Sequence, residues 1–322
     1  MDIGLGLGLS KNKIISASND PSSIPDLVGW WNFNKENLAK NVEGTDPVTA
    51  DDDYIGWIRN LANGDANGDR LGEFLRCRAN STPAGGESIW KGKYKEGGAN
   101  GHPYLDLPTT TAYTGYAAGV FGNLDAGEDV TNWGGISSTI LTNLEMGSQQ
   151  MTTFAIVQAG TSDDSQYHIL GLNAHSTVGA LDQTMGVARI SNETYQATYI
   201  GIGNADPVEQ VTSGTYADTN LHYVRTVAKA GTNACNIKID GTIGATTDTM
   251  DYNYDFDFGQ AISNTAVYIG FNCDVTNLSD SSWGESFWEG KIYEVLIFAR
   301  ALEDTEIADV ETYLSNKYGV TV

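Results

Sequence analysis

The sequence predicts an all-β fold: two antiparallel sheets packed as a sandwich, closed by one C-terminal amphipathic helix. Three observations carry that expectation. Glycine is abundant (37) and proline scarce (7) in a chain of 322 residues, and Thr, Asn, Asp and Ser crowd the stretches between short apolar runs, as in strands joined by turns. Cys235, Ile237 and Ile239 alternate with Asn236, Lys238 and Asp240 and lead into Asp240-Gly241, a dipeptide suited to the positive φ values of a tight hairpin. Over 304–317, Ile307, Val310 and Leu314 recur at helical spacing, with Asp304 and Glu306 at the start and Gly319 as a stop.

Taken in order, residues 1–26 show no amphipathic pattern and hold Pro21 and Pro25, so they are expected to form an extended arm before the domain. Their GLGLGLS stretch reads either as a tail or as an arm that pairs along another subunit. The domain is expected over 27–322. It opens with a strand at Leu27–Phe33, continues through a strand at Asp53–Ile58, and then carries long ordered loops over 60–150, where periodicity is weak. From 150 onward the apolar runs Thr153–Gln158, His168–Leu172, Gly186–Ile190, Leu221–Val227 and Ala266–Phe271 are spaced as a sandwich spaces its strands. The run Lys291–Phe298 is apolar on both faces, which requires a cover on the side away from the core. The helix that follows is expected to be that cover.

Charge narrows the partners. With 41 acidic and 18 basic side chains the formal net charge is −23, a field that repels phosphate backbones and anionic lipids. No nucleic-acid partner and no membrane insertion are expected, and no apolar run approaches 18 residues. The N-terminus lacks the basic region and small-residue cleavage site of a signal peptide, so classical secretion is not expected. Cys77, Cys235 and Cys273 are far apart and odd in number, which suits buried or bystander thiols rather than a disulfide framework or zinc site.

The segment from Gly290 through Phe298 to Arg300-Ala301-Leu302 and Glu306, followed by Tyr313-Leu314-Ser315-Asn316-Lys317-Tyr318-Gly319, resembles the ending of laminin G-like domains of the concanavalin A-like jelly-roll superfamily, in their phage and bacterial versions. Ile237–Gly241 and Tyr268–Gly270 are similar to the two preceding signature strands, and Leu27–Trp31 to the opening strand. The match is best over 150–322 and thin over 34–149. Glu303 stands where the pattern has a capping Ser, leaving Asp304 as the expected cap and a helix start shifted by one residue. The resemblance implies a two-sheet jelly roll with ligand loops at its rim; function does not follow from fold.

Glycoside hydrolysis needs two carboxylates flanking the scissile bond, about 5–9.5 Å apart. The nearest sequence pattern, Asp251, Asn253, Asp255 and Asp257 on one face of an aromatic-backed segment, lacks a Glu and reads as a solvated acidic face. His102, His168, His175 and His222 fall in no metal or triad motif, and read as incidental polar residues. Asp65, Asn67 and Asp69 copy the first ligand positions of a calcium loop, but Arg70 and Arg76 break the pattern, so no cofactor is expected and calcium is the single cation to test. Asp51-Asp52-Asp53 reads as a solvated charge run. Seven Trp and sixteen Tyr favour stacking on the apolar faces of sugars. The candidate ligand residues are Trp283 with Asp274, Asn277 and Asp280 in the loop 272–289, and the Tyr252/Tyr254 pair; Trp30, Trp31 and Trp288 read as packed.

These readings imply a noncatalytic virion structural or surface protein, a decoration, fibre or tail-associated component. It would join other virion proteins through its arm, form a homo-oligomer and grip host polysaccharide at the virion surface. An extracellular bacterial lectin or adhesion module is the alternative, and a glycan hydrolase or lyase the third reading.

Overall fold

A computed structural model gives the fold. It describes residues 20–40, 45–55, 57–62, 74–78, 92–107, 120–121, 150–160, 167–175, 183–190, 194–200, 209–216, 218–228, 236–246, 264–270 and 288–322. In chain order the strands are β1 (Leu27–Asn32), β2 (Leu38–Ala39), β3 (Trp57–Arg59), β4 (Phe74–Arg78), β5 (Lys93–Lys95), β6 (Tyr104–Leu107), β7 (Val120–Phe121), β8 (Met151–Ala159) and β9 (Tyr167–His175). They continue with β10 (Gln183–Ile190), β11 (Thr194–Ile200), β12 (Glu209–Thr215), β13 (Leu221–Ala228), β14 (Asn236–Ile239), β15 (Thr242–Ile243), β16 (Ala245–Thr246), β17 (Asn264–Ile269) and β18 (Gly290–Phe298). Helix α1 spans Asp304–Tyr318.

The fold is an all-β antiparallel sandwich with a C-terminal helix. An eight-stranded sheet runs β15-β14-β13-β8-β18-β6-β5, with β1 also on β18, and a six-stranded sheet runs β16-β12-β11-β10-β9-β17. Strand β18 is the axis of the first sheet. It pairs with β8 along one edge, and on the other with β6 at Gly290–Ile292 and β1 at Glu294–Phe298. Tyr195 of β11 reaches across to Trp288 and to His222 of β13, with ring centroids 6.4 and 5.7 Å apart. Those contacts mark the layer between the two sheets.

The helix covers the opposite face of the larger sheet, as the doubly apolar β18 requires. Ile307, Val310, Leu314 and Tyr318 are buried against Phe154, Ile156, Tyr223, Leu296 and Phe298. The Asp240-Gly241 turn has φ values of 45° and 82°, the two positive values that a two-residue hairpin of this hand demands. Gly319 ends α1 in the left-handed region at φ 73°, donating to Ser315 O at 2.8 Å.

Three expectations are corrected. Residues 20–26 are not an extended arm: Asp20 caps a single turn at Pro21–Ser23, and Pro21 and Ile24 are buried, Ile24 in the cluster beneath α1. Burial of Pro21 and Ile24, the capped turn, and Asp26, which accepts from the Ala299 amide and pairs with Arg300, together dock a segment that has no periodicity. The expected loop region 60–150 contributes strands: β5 and β6 extend the larger sheet, and β4 and β7 complete a third sheet, ordered β2-β3-β4-β7, with two strands that precede residue 60. The alternation of buried Leu105 and Leu107 around Asp106 was its short sequence signal. Finally Glu303, with extended backbone, is the N-cap of α1 rather than Asp304; the Glu306 carboxylate accepts the Glu303 amide at 2.9 Å.

Candidate functional site

None of the residues singled out for ligands is among the described ones. Trp283, Asp274, Asn277, Asp280, Tyr252 and Tyr254, and the calcium candidates Asp65, Asn67 and Asp69, all lie outside them. The residues flanking the segment 271–287 are described. The Trp288 amide donates to Gly270 O at 2.9 Å, which brings the two flanks together. Trp288 itself is buried, its Nε1 directed to Lys291 O at 3.3 Å, so it packs as the sequence suggested. Next to it the buried Glu289 has an Oε2 without a hydrogen-bond partner among the described residues, while its carbonyl accepts the Gly160 amide at 2.7 Å.

The six-stranded sheet presents a second arrangement, set by register. Ala197, Val187, Leu170 and Ile269 are paired in one row across β11, β10, β9 and β17, and all four are buried. The adjacent row runs Gln210, Thr198, Gly186, Gly171 and Tyr268 across β12, β11, β10, β9 and β17. Because strand residues alternate between faces, this row belongs to the face turned away from the sandwich core. The row after the next core row, Ile200, Thr184, Asn173 and Ala266, shares that face. Glycine at two adjacent strand positions leaves no side chain above the backbone there, and Gly171 is itself buried, a pattern associated with close approach by a ligand or another segment of chain. No single strand shows it; pairing Gly186 with Gly171 requires the register.

Charged clusters elsewhere have structural roles. Fully buried Glu294 accepts from Trp30 Nε1 and, at 2.9 Å, from the Tyr313 hydroxyl, and pairs with Lys317 Nζ at 2.9 Å. Burial and the neighbouring Glu294 carboxylate drive the Tyr313 phenol well above its ordinary range. Glu311 on α1 accepts from Tyr223 OH, Arg225 and Lys238 at 2.9, 3.2 and 2.9 Å. Arg300 grips Glu306 with both terminal nitrogens at 2.7 and 2.6 Å and reaches Asp26 at 3.0 Å. These explain the acid in the last strand and the Arg, Glu, Tyr and Lys of the C-terminal pattern: the Glu294 and Glu311 clusters tie helix to sheet, and Arg300 ties the first turn of the helix to the segments flanking β1 and β18. Asp51 and Asp52 of the Asp51-Asp52-Asp53 run are exposed, as expected, and the run also makes local contacts. Asp53 caps the amides of Thr49 and Ala50, Asp51 accepts from the Glu96 amide, and Asp52 pairs with Lys95.

His222 is the residue that sequence reasoning undervalued. It is only 3% exposed, with Nδ1 2.6 Å from Asp240 Oδ2 and Nε2 2.7 Å from Asp218 Oδ1. The signal was present in the hairpin: pairing Leu221–Val227 with the strand ending at Asp240 brings that acid beside the start of β13. Among the described residues no group of three or more His, Cys, Asp or Glu is arranged to hold a metal ion, and no helix is long and apolar enough to cross a membrane.

No family model and no curated protein matches this chain. Among solved structures it is similar to the leech intramolecular trans-sialidase complexed with 2,7-anhydro-Neu5Ac (16% identity, 63% of this chain and 26% of that one, TM-score 0.41). It is also similar to the Ruminococcus gnavus IT-sialidase CBM40 bound to α2,6 sialyllactose (15%, 59% and 96%, TM-score 0.40). A third is Trypanosoma rangeli sialidase in complex with sialic acid (13%, 91% and 33%, TM-score 0.43). The chain thus spans about a quarter to a third of the two enzymes and nearly all of the CBM40 chain. The expectation of a noncatalytic protein is corrected here, since a sialidase and a trans-sialidase stand among the matches. A carboxylate pair must be close in space, not in sequence, so a missing motif does not exclude one. At these TM-scores the likeness assigns neither activity nor ligand to this chain.

Proposed function

We propose that this chain is a laminin G-like jelly-roll module that binds uncharged polysaccharide of a host surface, carried on a virus particle through the segment preceding residue 20. The observation that supports glycan binding is the Gly186–Gly171 pair between Thr198 and Gln210 on one side and Tyr268 on the other. Sugars ask for hydroxyl and amide partners, an aromatic plane and close approach to backbone, and this row supplies those residue types together. The loop candidates Trp283, Asp274, Asn277 and Asp280 would form a rim to the site. A net charge of −23 disfavours sialylated and other anionic glycans. The virion reading is supported by the phage-type C-terminal pattern and the Gly-Leu repeat at the start. The extracellular bacterial lectin shares the same site chemistry.

Single-site affinity from one stacked ring and a few hydrogen bonds is weak, on the order of millimolar to micromolar, so adhesion depends on many copies. A glycan array probed with multimerised protein, printed with neutral and sialylated chains side by side, tests the proposal. Neutral polysaccharide should bind, and Gly186→Val, which covers that backbone with the side chain of a good strand former, should abolish that binding while leaving the melt unchanged. Silence across the array, or undiminished binding by Gly186→Val, overturns the assignment of the site.

A further inference from the structure

The imidazole of His222 faces two carboxylates from two different turns. Asp218 lies in the turn between β12 and β13, and its Oδ1 also accepts the Asn220 amide at 3.0 Å. Asp240 opens the β14–β15 turn with a left-handed φ of 45°, and its Oδ1 accepts the Tyr223 amide at 2.9 Å. Each carboxylate is thereby oriented by a main-chain amide before it meets the ring. A neutral imidazole carries one N–H and one lone pair, and an ionised carboxylate only accepts. With both ring nitrogens within 2.7 Å of a carboxylate oxygen, a neutral ring would set its lone pair against an anionic oxygen. Both contacts are satisfied by the imidazolium.

The surroundings make that state consequential. From the six-stranded sheet, Tyr195 of β11 and Tyr216, just after β12, stand edge-on to the ring at 5.7 and 5.3 Å between centroids. The Tyr216 hydroxyl donates to Ile239 O at 3.2 Å, beside the same hairpin tip. The main chain of Val322 lies against Gly241 on the other side of the turn. Among the described residues the titratable groups facing His222 are Asp218, Asp240, Tyr195 and Tyr216. Burial alone would lower the pKa of His222; the hydrogen bond and charge of Asp240, then those of Asp218, outweigh burial and hold it above the ordinary 6.5. Burial opposes ionisation of Asp218 as well, yet the Asn220 amide and His222 keep it below the usual carboxylate range.

We propose that His222 is a proton-operated clamp: as an imidazolium it ties the turn before β13 to the tip of the β14–β15 hairpin, and its deprotonation at alkaline pH releases that end of the sandwich. The pH dependence has a definite sign. A histidine with a folded pKa above its unfolded one stabilises fully below about pH 6.5, and that contribution is lost as pH rises through the folded value. Loss of the clamp frees the hairpin where β14 adjoins β11 and β12, so the effect reaches both sheets.

Nitrogen-detected NMR of the histidine rings in the wild-type chain, titrated from pH 5 to 10, reads the protonation state directly. The His222 ring should carry protons on both nitrogens at pH 7 and lose one only at higher pH. Asp240→Asn should move that transition to lower pH. In parallel, the melting temperature of the wild type should fall by about 2–4 °C over the same transition, relative to His222→Gln at each pH. A singly protonated His222 ring at pH 7 overturns the proposal, as do wild-type and His222→Gln melts with parallel pH profiles. Should His222→Gln not fold, the wild-type NMR titration decides by itself.

Discussion

The two outward faces of the sandwich are built to opposite specifications. The face of the eight-stranded sheet under α1 is apolar and closed, and within it Glu294 and Glu311 are each matched by cations and phenol hydroxyls. The outward rows of the six-stranded sheet hold glycine, threonine, glutamine and asparagine, alternating with the buried row of Ala197, Val187, Leu170 and Ile269. One face is committed to the molecule's own helix, and its charges survive burial because each has partners. The other has the composition of a surface that meets water or a ligand. The difference teaches that both faces of a sheet can be read for purpose, provided register is known.

That contrast can be broken by substitutions of graded effect. The largest is expected at Glu294→Ala, which leaves Lys317 and the Tyr313 hydroxyl without their acceptor beneath the helix. It should destabilise the fold by about 3–5 kcal/mol in urea denaturation. A change below about 1 kcal/mol would mean that the helix does not depend on this pairing. Arg300→Ala removes the clasp on Glu306 and Asp26 and should cost about 1–2 kcal/mol. Arg300 holds the Glu306 carboxyl below its ordinary 4.5, despite opposing burial, so this contribution is present above that pH and fades as pH falls through the lower folded value. The wild-type advantage over Arg300→Ala should accordingly vanish in strong acid. The smallest effect on stability belongs to Gly186→Val on the polar face, within about 0.5 kcal/mol of wild type. A large destabilisation there would show that the face is packed rather than open.

Much of the fold was legible in the sequence because it depends on short-range period. The strand at Leu27, the runs that became β8 to β10, β13, β17 and β18, and the helix at 304 all announced themselves by alternation or by 3.6-residue spacing. The strand β12 did not, since Val211 is its one large apolar side chain, whereas β11 was overlooked although Tyr195, Ala197 and Tyr199 alternate with Thr194, Gln196 and Thr198. The region from 60 to 150 misled for a related reason. Its strands are two to five residues long, shorter than any periodic window. The candidate site divides similarly: the residue types suited to sugars were countable, whereas the Gly186–Gly171 neighbourhood exists only once β10 lies against β9.

By itself the sequence determined the all-β character, the Asp240-Gly241 hairpin, the C-terminal helix and its buried face, because period and turn chemistry are properties of neighbouring residues. Tertiary structure decided which charges meet. Glu294 with Lys317 and Tyr313, Arg300 with Asp26, and His222 between Asp218 and Asp240 join residues from separate elements. Glu303 rather than Asp304 caps the helix because Glu306, itself held by Arg300, is placed to accept the Glu303 amide. Electrostatic pairing depends on distance in space and on exclusion of water, and both arise only when the sheets and helix have packed.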